Sequence, residues 1–351
     1  MSLYSPTQFR DLVSGRRRGL WAALLRGGLQ AAELPVAWAV RRRNRRYDSA
    51  SAAVQRVGVP VVSVGNLTLG GTGKTPLVAW LAQWFAGRGV PVGLLSRGYG
   101  SRRGQANDEA RQLARDLPGL PHLQQPDRVA AARRAIDQLG CRLLILDDGF
   151  QHRRIGRDLD IVLLDASEPL GFGHVFPRGT LREPPEGLGR AHVVALSRAD
   201  MLPADQRQAL RRRVAWYCPR AVWLELVHAP QALLAAGGDQ QPLDWLAAKR
   251  VLAFCGIGNP AGFRHTLSVC GCQAAEFLEF PDHHAYRRRD LDRLAAAAQR
   301  LDVAALVCTQ KDLVKLDVDR LGDRPLRAIR IGVEIPVGRE ALETKLAALL
   351  P

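Results

Sequence analysis

The stretch "VVSVGNLTLGGTGKTP", residues 61–76, places a glycine-rich loop directly after an apolar run. The run predicts a strand, and the loop followed by a helical pattern is typical of a phosphate-binding P-loop. Lys74 is expected to reach the β- and γ-phosphates, and the Thr75 hydroxyl to ligate Mg²⁺. The strict pattern has glycine where this chain has Thr68, so a glycine turn without a ligand is the alternative. The candidate nucleotide-binding residues of the loop are Gly70, Gly71, Thr72, Gly73, Lys74 and Thr75.

From residue 58 onward, short β-branched runs alternate with helical patterns. The runs are "VPVVSV", "VPVGLLS", "RLLILDD", "LDIVLLDA", "HVVALS", "VWLELV", "RVLAFCG", "ALVCTQ" and "AIRIGVEI". This alternation predicts the α/β class, with mainly parallel sheets covered by helices on both faces. A chain of 351 residues is also long enough for two domains. We expect an N-terminal region at 1–47, a P-loop domain at 48–228, a loop-like linker at 229–248 and a second α/β domain at 249–351.

The basic charge of the chain is concentrated at its N-terminus. The 50 Lys and Arg against 34 Asp and Glu give a formal net charge of +16, and residues 1–47 hold ten arginines against Asp11 and Glu33. So basic a chain favours anionic partners such as nucleic acid, acidic lipid head groups or phosphorylated substrates. Because half of the excess lies in this first segment, we expect the anionic surface contact there.

An apolar stretch, "GLWAALLRGGLQAAELPVAWAV" at 19–40, lies between arginines at 16–18 and 41–43. A membrane-spanning helix needs about 20 mostly apolar residues, and charges at its centre are costly. Arg26 and Glu33 interrupt this stretch, so we predict a helix that lies in the head-group layer and is attracted by anionic lipids. The alternative is an ordinary N-terminal helix packed on the domain.

Two adjacent carboxylates end the apolar run of "RLLILDDGFQHRR", residues 142–154. A P-loop protein needs an acidic residue at the end of a neighbouring strand to position the metal. Asp147 and Asp148 are therefore candidate Mg²⁺ ligands. The alternatives are a helix cap or a surface turn.

Two further stretches carry charges whose roles the sequence leaves open. "VFPRGTLREPP", residues 175–185, places Arg182 and Glu183 on a Gly/Pro-rich loop, where they face either a cleft or solvent. "VVALSRAD", residues 193–200, resembles the N/T-K-x-D element that reads guanine in many GTPases. Because Arg198 stands where lysine is expected, the base specificity stays open.

Several stretches together resemble one family, the tetraacyldisaccharide 4′-kinases, which are the lipid A 4′-kinases of Gram-negative bacteria. They are "VGNLTLGGTGKTP", "LLSRGYGSR", "DDGFQHRR", "PRGTLREP", "CGIGNPAGF", "FPDHHAY" and "TQKDLVKL", between about residues 15 and 318. The resemblance implies an ATP- and Mg²⁺-dependent kinase that phosphorylates the 4′-hydroxyl of a lipid A disaccharide 1-phosphate to the 1,4′-bisphosphate. It also implies two α/β/α domains with the site between them, and an N-terminal helix near the membrane.

The resemblance further implies roles for individual residues. The implied catalytic residues are Lys74, Arg182, Asp108 and His283. The implied nucleotide contacts are the loop residues, Gln151 and His152, and the implied metal ligands are Thr75, Asp147, Asp148 and Glu183.

The implied base is Asp108 in "QANDEAR", assisted by His283 in "FPDHHAY". A sugar hydroxyl is a poor nucleophile, and a carboxylate aligned by an imidazole can accept its proton during phosphoryl transfer. The alternative for His283 is a surface histidine at a strand end. The chain departs from the family at Asn107 and Ala110, where the family has glycine and proline, so we expect the loop before the base to be held differently. Gln310 stands where the family has glutamate, and we expect no catalytic role for it.

Two other classes compete with the kinase. A P-loop switch or partitioning ATPase would act on a protein or nucleic-acid partner, but such proteins often carry lysine where this chain has Leu69. A nucleic-acid-dependent NTPase would explain the charge, yet a basic excess beside an apolar helix favours a membrane over a duplex. We therefore expect a monomeric lipid kinase, peripheral on the cytoplasmic face of the inner membrane, with ATP and Mg²⁺ as cofactors and no nucleic-acid partner.

Overall fold

One long β-sheet organises the computed structural model, which describes residues 6–49, 51–98 and 108–350. Its strands are β1 (Val61–Asn66), β2 (Val92–Ser96), β3 (His122–Gln124), β4 (Leu143–Asp147), β5 (Leu159–Asp165), β6 (Val193–Ser197), β7 (Val222–Leu234), β8 (Gln240–Gln241), β9 (Arg250–Cys255), β10 (Gln273–Glu279), β11 (Ala305–Thr309), β12 (Arg320–Leu321) and β13 (Arg324–Val337). Their order across the sheet is β10-β9-β11-β13-β7-β6-β5-β1-β4-β2-β3, with β8 paired to β7 and β12 to β13.

Helices follow most of these strands and cover both faces of the sheet. They are α1 (Pro6–Val13), α2 (Leu20–Asp48), α3 (Lys74–Ala86), α4 (Asp108–Asp116), α5 (Arg128–Leu139), α6 (Ala204–Tyr217), α7 (Pro260–Val269), α8 (Arg288–Arg300), α9 (Gln310–Leu316) and α10 (Arg339–Ala347). Val62 and Ile145 pack in the core under α3, whereas Val61 and Leu144 pack in a second core with α5. Strands buried on both faces read as continuous apolar runs, which is the pattern seen in the sequence.

The strand pairs are parallel in both halves of the sheet. The antiparallel pairs among the described strands are β7 with β13, β7 with β8 and β12 with β13. Each of the nine apolar runs quoted above overlaps one of these strands. The predicted α/β class with a mainly parallel sheet is therefore confirmed.

The expectation of a loop-like linker at 229–248 is wrong for its first residues. Strand β7 continues through Leu234 and pairs along its length with β13, so these two long antiparallel strands join the two parallel halves. After the second half, the chain returns to the first, where Ile335, Leu342 and Leu346 pack in the same core as α3. The chain therefore crosses between the halves twice. The predicted division into domains stays a prediction.

Helix α2 packs on the protein with one face and exposes apolar side chains on another. Glu33 is buried and accepts a hydrogen bond from the backbone N–H of Val175 at 2.7 Å. Leu20, Trp21, Leu24, Leu34 and Trp38 are each at least 62% exposed. The packed-helix alternative thus holds for one face, while the membrane contact stays a prediction. Across the described ranges, no helix combines the length and the apolar character needed to cross a bilayer.

Candidate active site

The glycine-rich loop connects the end of β1 to the start of α3. Gly73 precedes the helix with φ of 76°, in the left-handed region, and a Cβ at this position would lie 2.3 Å from the ring of His228. Only glycine fits both conditions. The loop therefore delivers the N–H groups of the α3 N-terminus to a cavity of about 630 Å³, which all six predicted loop residues line. Free N–H groups at a helix N-terminus favour phosphate.

Lys74, Asp148 and Arg182 form one ionic cluster at the wall of this cavity. Lys74 Nζ lies 3.0 Å from Asn66 Oδ1 and 3.1 Å from Asp148 Oδ1. Arg182 Nη1 donates to the two oxygens of Asp148 at 2.9 and 2.8 Å. Burial alone would raise the pKa of Asp148, but the charges of Lys74 and Arg182 outweigh it and hold this pKa well below its usual range. Asp148 is therefore ionised at neutral pH.

Asp147 occupies a different environment from its neighbour. It is the last residue of β4, which pairs with β1, and it is 4% exposed and lines the cavity. Burial, supported by the charge of Glu109, raises the pKa of Asp147 to about 7 against the opposing charge of Lys74. Asp147 Oδ1 is buried and has no hydrogen-bond partner within the described residues.

These features fit a magnesium ion. An orphaned, buried carboxylate oxygen is costly unless a cation or a donor meets it. The Thr75 side chain is buried beside the same cavity, so Thr75, Asp147 and Asp148 offer oxygens to one site. Mg²⁺ in nucleotide sites needs only one or two carboxylates because phosphates and waters complete its shell.

The structure does not bring Glu183 to this cavity. Glu183 is fully buried, and its two oxygens accept from Arg190 Nη2 at 3.1 and 2.9 Å and from Asn44 Nδ2 at 2.8 Å. Glu183 is not among the described residues that line the cavity, whereas Asp147 and Asp148 are. Its contact with Asn44 instead anchors α2 to the loop that carries Arg182. The metal-ligand assignment of Glu183 is therefore not supported by its position.

Gln151 and His152 also lie behind the cavity, not among the described residues that line it. Gln151 Nε2 donates to the backbone oxygen of Asn66 at 2.9 Å and to Glu183 Oε1 at 3.0 Å. Burial, supported by the charge of Arg128, lowers the pKa of His152 to about 4. Gln151 therefore contacts the strand that precedes the P-loop instead of the phosphates.

The predicted base and its histidine do meet. Asp108 begins α4, and its Oδ2 lies 3.5 Å from His283 Nδ1 and 3.4 Å from Lys315 Nζ. Burial would raise the pKa of Asp108, but hydrogen bonds and charge from His283 and Lys315 lower it on balance. The hydrogen bond that the His283 ring makes to the Asp108 carboxylate raises the pKa of His283, against the effect of burial. The pair thus consists of an ionised carboxylate and a histidine; His283 lines the cavity, whereas Asp108 is not among the described residues that line it.

The structure explains one of the two differences from the family pattern next to Asp108. Ala110 is buried in the first turn of α4, where alanine favours the helix that Asp108 starts. Asn107 lies outside the described residues, as do Tyr99 and Gly100 of the "SRGYG" stretch. Gln310 Nε2 donates to Asp116 Oδ1 at 3.1 Å, and Gln310 also lines the cavity.

Sequence reasoning missed the ion pair of Lys311 and Glu109 on the cavity wall and left the role of Arg198 open. Lys311 Nζ lies 2.7 Å from Glu109 Oε1, and both residues line the cavity. Arg198 pairs with Asp165 and donates to the backbone oxygen of Gly71 at 3.3 Å, so it connects the P-loop to the end of β5. One signal was available in the sequence: the chain has only five lysines, and two of them lie in "TQKDLVKL".

A strand, glycine loop and helix, with carboxylates at the end of the neighbouring parallel strand, define a P-loop nucleotide-binding protein. The model of the tetraacyldisaccharide-1-P 4′-kinase family, LpxK, matches residues 26–351, and the chain belongs to this family. The resemblance found in the motifs is therefore confirmed.

Individual relatives cover nearly the whole chain. The tetraacyldisaccharide 4′-kinase of Anaeromyxobacter dehalogenans (strain 2CP-C) is 43% identical over 351 residues, which cover 94% of this chain and 92% of the relative. That of Desulfatibacillum aliphaticivorans is 38% identical over 336 residues, with 90% and 89% covered. The crystal structure of LpxK from Aquifex aeolicus in complex with ATP has a TM-score of 0.73 and 28% identity, and covers 93% of this chain and 100% of its own.

Proposed function

We propose that this protein transfers the γ-phosphoryl group of ATP to the 4′-hydroxyl of a lipid A disaccharide 1-phosphate and so forms the 1,4′-bisphosphate. The observation that carries the proposal is the contact of Asp108 with His283, which lines the same cavity as Lys74. The family and the names of the relatives support the substrate, and the ATP complex of the Aquifex aeolicus relative supports the phosphoryl donor.

In this proposal the residues divide the reaction between them. The substrate oxygen forms a bond to the γ-phosphorus, the bond from that phosphorus to the β–γ bridging oxygen breaks, and Asp108 accepts the hydroxyl proton. His283 orients the carboxylate of Asp108. Lys74 and Arg182 place positive charge where negative charge accumulates on the phosphoryl oxygens.

Thr75, Asp147 and Asp148 would hold Mg²⁺ in the same proposal. When bound, the ion adds positive charge to the phosphates of ATP. Lys74 and Arg182 now pair with Asp148, so the nucleotide complex would offer both cations a second anionic partner.

We further propose that α2 holds the enzyme at the cytoplasmic face of the inner membrane. A disaccharide with several acyl chains leaves a bilayer only at a cost of about 0.8 kcal/mol for each CH₂ exposed to water, so the kinase must go to the lipid. The exposed leucines and tryptophans of α2 supply an apolar face, and arginines at 16–18 and 41–43 flank it. Each basic residue near an anionic surface adds about 1 kcal/mol.

The test is direct conversion of substrate. Purified protein with Mg-ATP and lipid A disaccharide 1-phosphate is expected to give a product heavier by one phosphate, detected by mass spectrometry. The Lys74→Ala variant is the control for a contaminating kinase. ATP hydrolysis with no bisphosphorylated product would favour the switch ATPase instead.

A further inference from the structure

An ion pair between the two halves of the chain lies on the wall of the cavity. Lys311 belongs to α9 and Glu109 to α4, and Lys311 Nζ lies 2.7 Å from Glu109 Oε1. The side chains are 26% and 38% exposed, and both line the cavity. A ligand in the cavity can therefore reach the ammonium of Lys311, which a fully buried ion pair would not allow.

Helix α9 presents a second lysine to α4 in a different setting. Lys315, one turn after Lys311, pairs with Asp108 at 3.4 Å and is only 9% exposed. Asp312 between them is fully buried and accepts from the backbone N–H of Gly256 at 3.1 Å and from the Thr309 hydroxyl at 2.7 Å. The first turn of α9 is thus fixed, so the position of Lys311 is set by rigid packing. Of the two lysines, Lys311 is the one that faces the cavity.

The charges around Lys311 keep its ammonium group protonated. Although burial would lower the pKa of Lys311, the charge of Glu109 outweighs it and raises this pKa. The pKa of Glu109 is lowered by Lys311, against burial, and the charge of Lys74 contributes to the same shift. Glu109 is therefore within electrostatic reach of Lys311 and of the P-loop lysine. Lys74 and Lys311 line the same cavity and come from opposite halves of the chain.

We propose that Lys311 is a further catalytic residue, whose ammonium group turns from Glu109 to the γ-phosphoryl oxygens during transfer. The inference rests on the proposed kinase function. Lys311 forms no covalent bond and keeps its proton, while the substrate hydroxyl proton still goes to Asp108. Its contribution is positive charge on a group whose negative charge shifts in the transition state, as arginine provides in other phosphoryl-transfer enzymes. Glu109 is the resting partner that holds this charge in place before ATP binds.

The decisive experiment compares the two members of the pair. Lys311→Gln is expected to lower kcat by about 10²-fold, as loss of one transition-state donor commonly does, with little change in the KM for ATP. Glu109→Gln keeps the ammonium and is expected to lower kcat less than about tenfold. The double variant, which removes both charges and leaves no unpaired ion, is expected to be as slow as Lys311→Gln. Lys311→Arg is expected to recover part of the loss, and Lys345→Gln on α10 controls for removal of a lysine elsewhere.

A purely structural ion pair gives a different pattern. In that case Lys311→Gln and Glu109→Gln lose equal activity. The double variant is then no slower than either single variant, or it recovers activity. Either result overturns the catalytic role. Scoring both ADP and bisphosphorylated lipid separates this inference from the proposed function. ADP without bisphosphate from the unaltered protein overturns the lipid kinase, whereas equal ADP release by the unaltered protein and Lys311→Gln overturns the role of Lys311.

Discussion

Replacing His228 tests how the P-loop is supported from the sheet. His228 lies on β7 against Gly73, and its Nε2 is 3.4 Å from the Ser197 hydroxyl. Burial, supported by the charge of Arg198 and opposed by that of Asp165, lowers the pKa of His228 from 6.5 to about 3. The folded protein therefore holds this imidazole neutral under mildly acidic conditions.

The sign and the size of the effect on stability follow from this shift. Because the folded pKa lies below the unfolded value, the unfolded chain takes up the proton first, so stability falls as the pH drops below about 6.5. At two pH units below the unfolded pKa, the loss of unfolding free energy is about 3 kcal/mol. Because His228 lines the cavity and is only partly buried, we reduce this value and expect a loss of about 2 kcal/mol of unfolding free energy between pH 7.5 and pH 4.5. As pH 4.5 still lies above the folded pKa, the result depends mainly on the unfolded value.

The assay is urea denaturation of the nucleotide-free protein at both pH values, for the unaltered protein, His228→Gln and His228→Leu. The unaltered protein is expected to lose about 2 kcal/mol more unfolding free energy on acidification than either variant. The two variants differ in packing and in their contact with Ser197, so their stabilities at pH 7.5 will differ while their pH dependence agrees. A difference between unaltered and variant protein that is the same at both pH values refutes the reasoning.

Three further predictions concern catalysis and the membrane. Lys74→Ala should stay folded but lose most kinase turnover, about 3–4 kcal/mol of transition-state stabilisation, as measured by product formation and circular dichroism. Asp108→Asn should lower kcat by about 10²–10⁴-fold with little change in ATP affinity. In the Asp108→Asn/His283→Ala double variant, kcat should fall by less than the product of the two single losses, and strictly multiplicative losses would argue against a coupled pair. Glutamine at the arginines of 16–18 and 41–43 should release the protein from anionic vesicles and raise the KM for vesicle-borne lipid, with kcat in detergent little changed. Sedimentation with vesicles that neither these substitutions nor high salt reduces would leave α2 as an ordinary packed helix.

The sequence by itself determined the local elements of this protein. The apolar runs became strands because residues buried on both faces of a parallel sheet must be apolar along their whole length. The glycine-rich loop was predicted in front of a helix, and the structure places Gly73, with φ of 76°, directly before α3. Asp147 and Asp148 were predicted as candidate Mg²⁺ ligands from their place at the end of an apolar run. The carboxyl ends of neighbouring parallel strands meet at one edge of the sheet, so these residues lie near the P-loop.

Only the tertiary structure decided which charges meet. Asp108 and His283 are 175 positions apart in the chain, and Glu109 and Lys311 are 202 apart. The first pair came from the family motif and the second came from no local pattern. Glu183, next in the chain to Arg182, turns into the interior instead of the cavity because Arg190 and Asn44 are packed there.

The same limit applies to the junction of the two halves. A stretch containing GG and QQP predicts a loop, yet residues 229–234 form strand because β13, almost a hundred residues later, offers a partner for their backbone N–H and C=O groups. Local sequence reports backbone preference and burial over a few residues. The partner that satisfies a buried charge or an unpaired strand is chosen by the path of the whole chain, because only the folded topology brings distant segments within hydrogen-bonding distance.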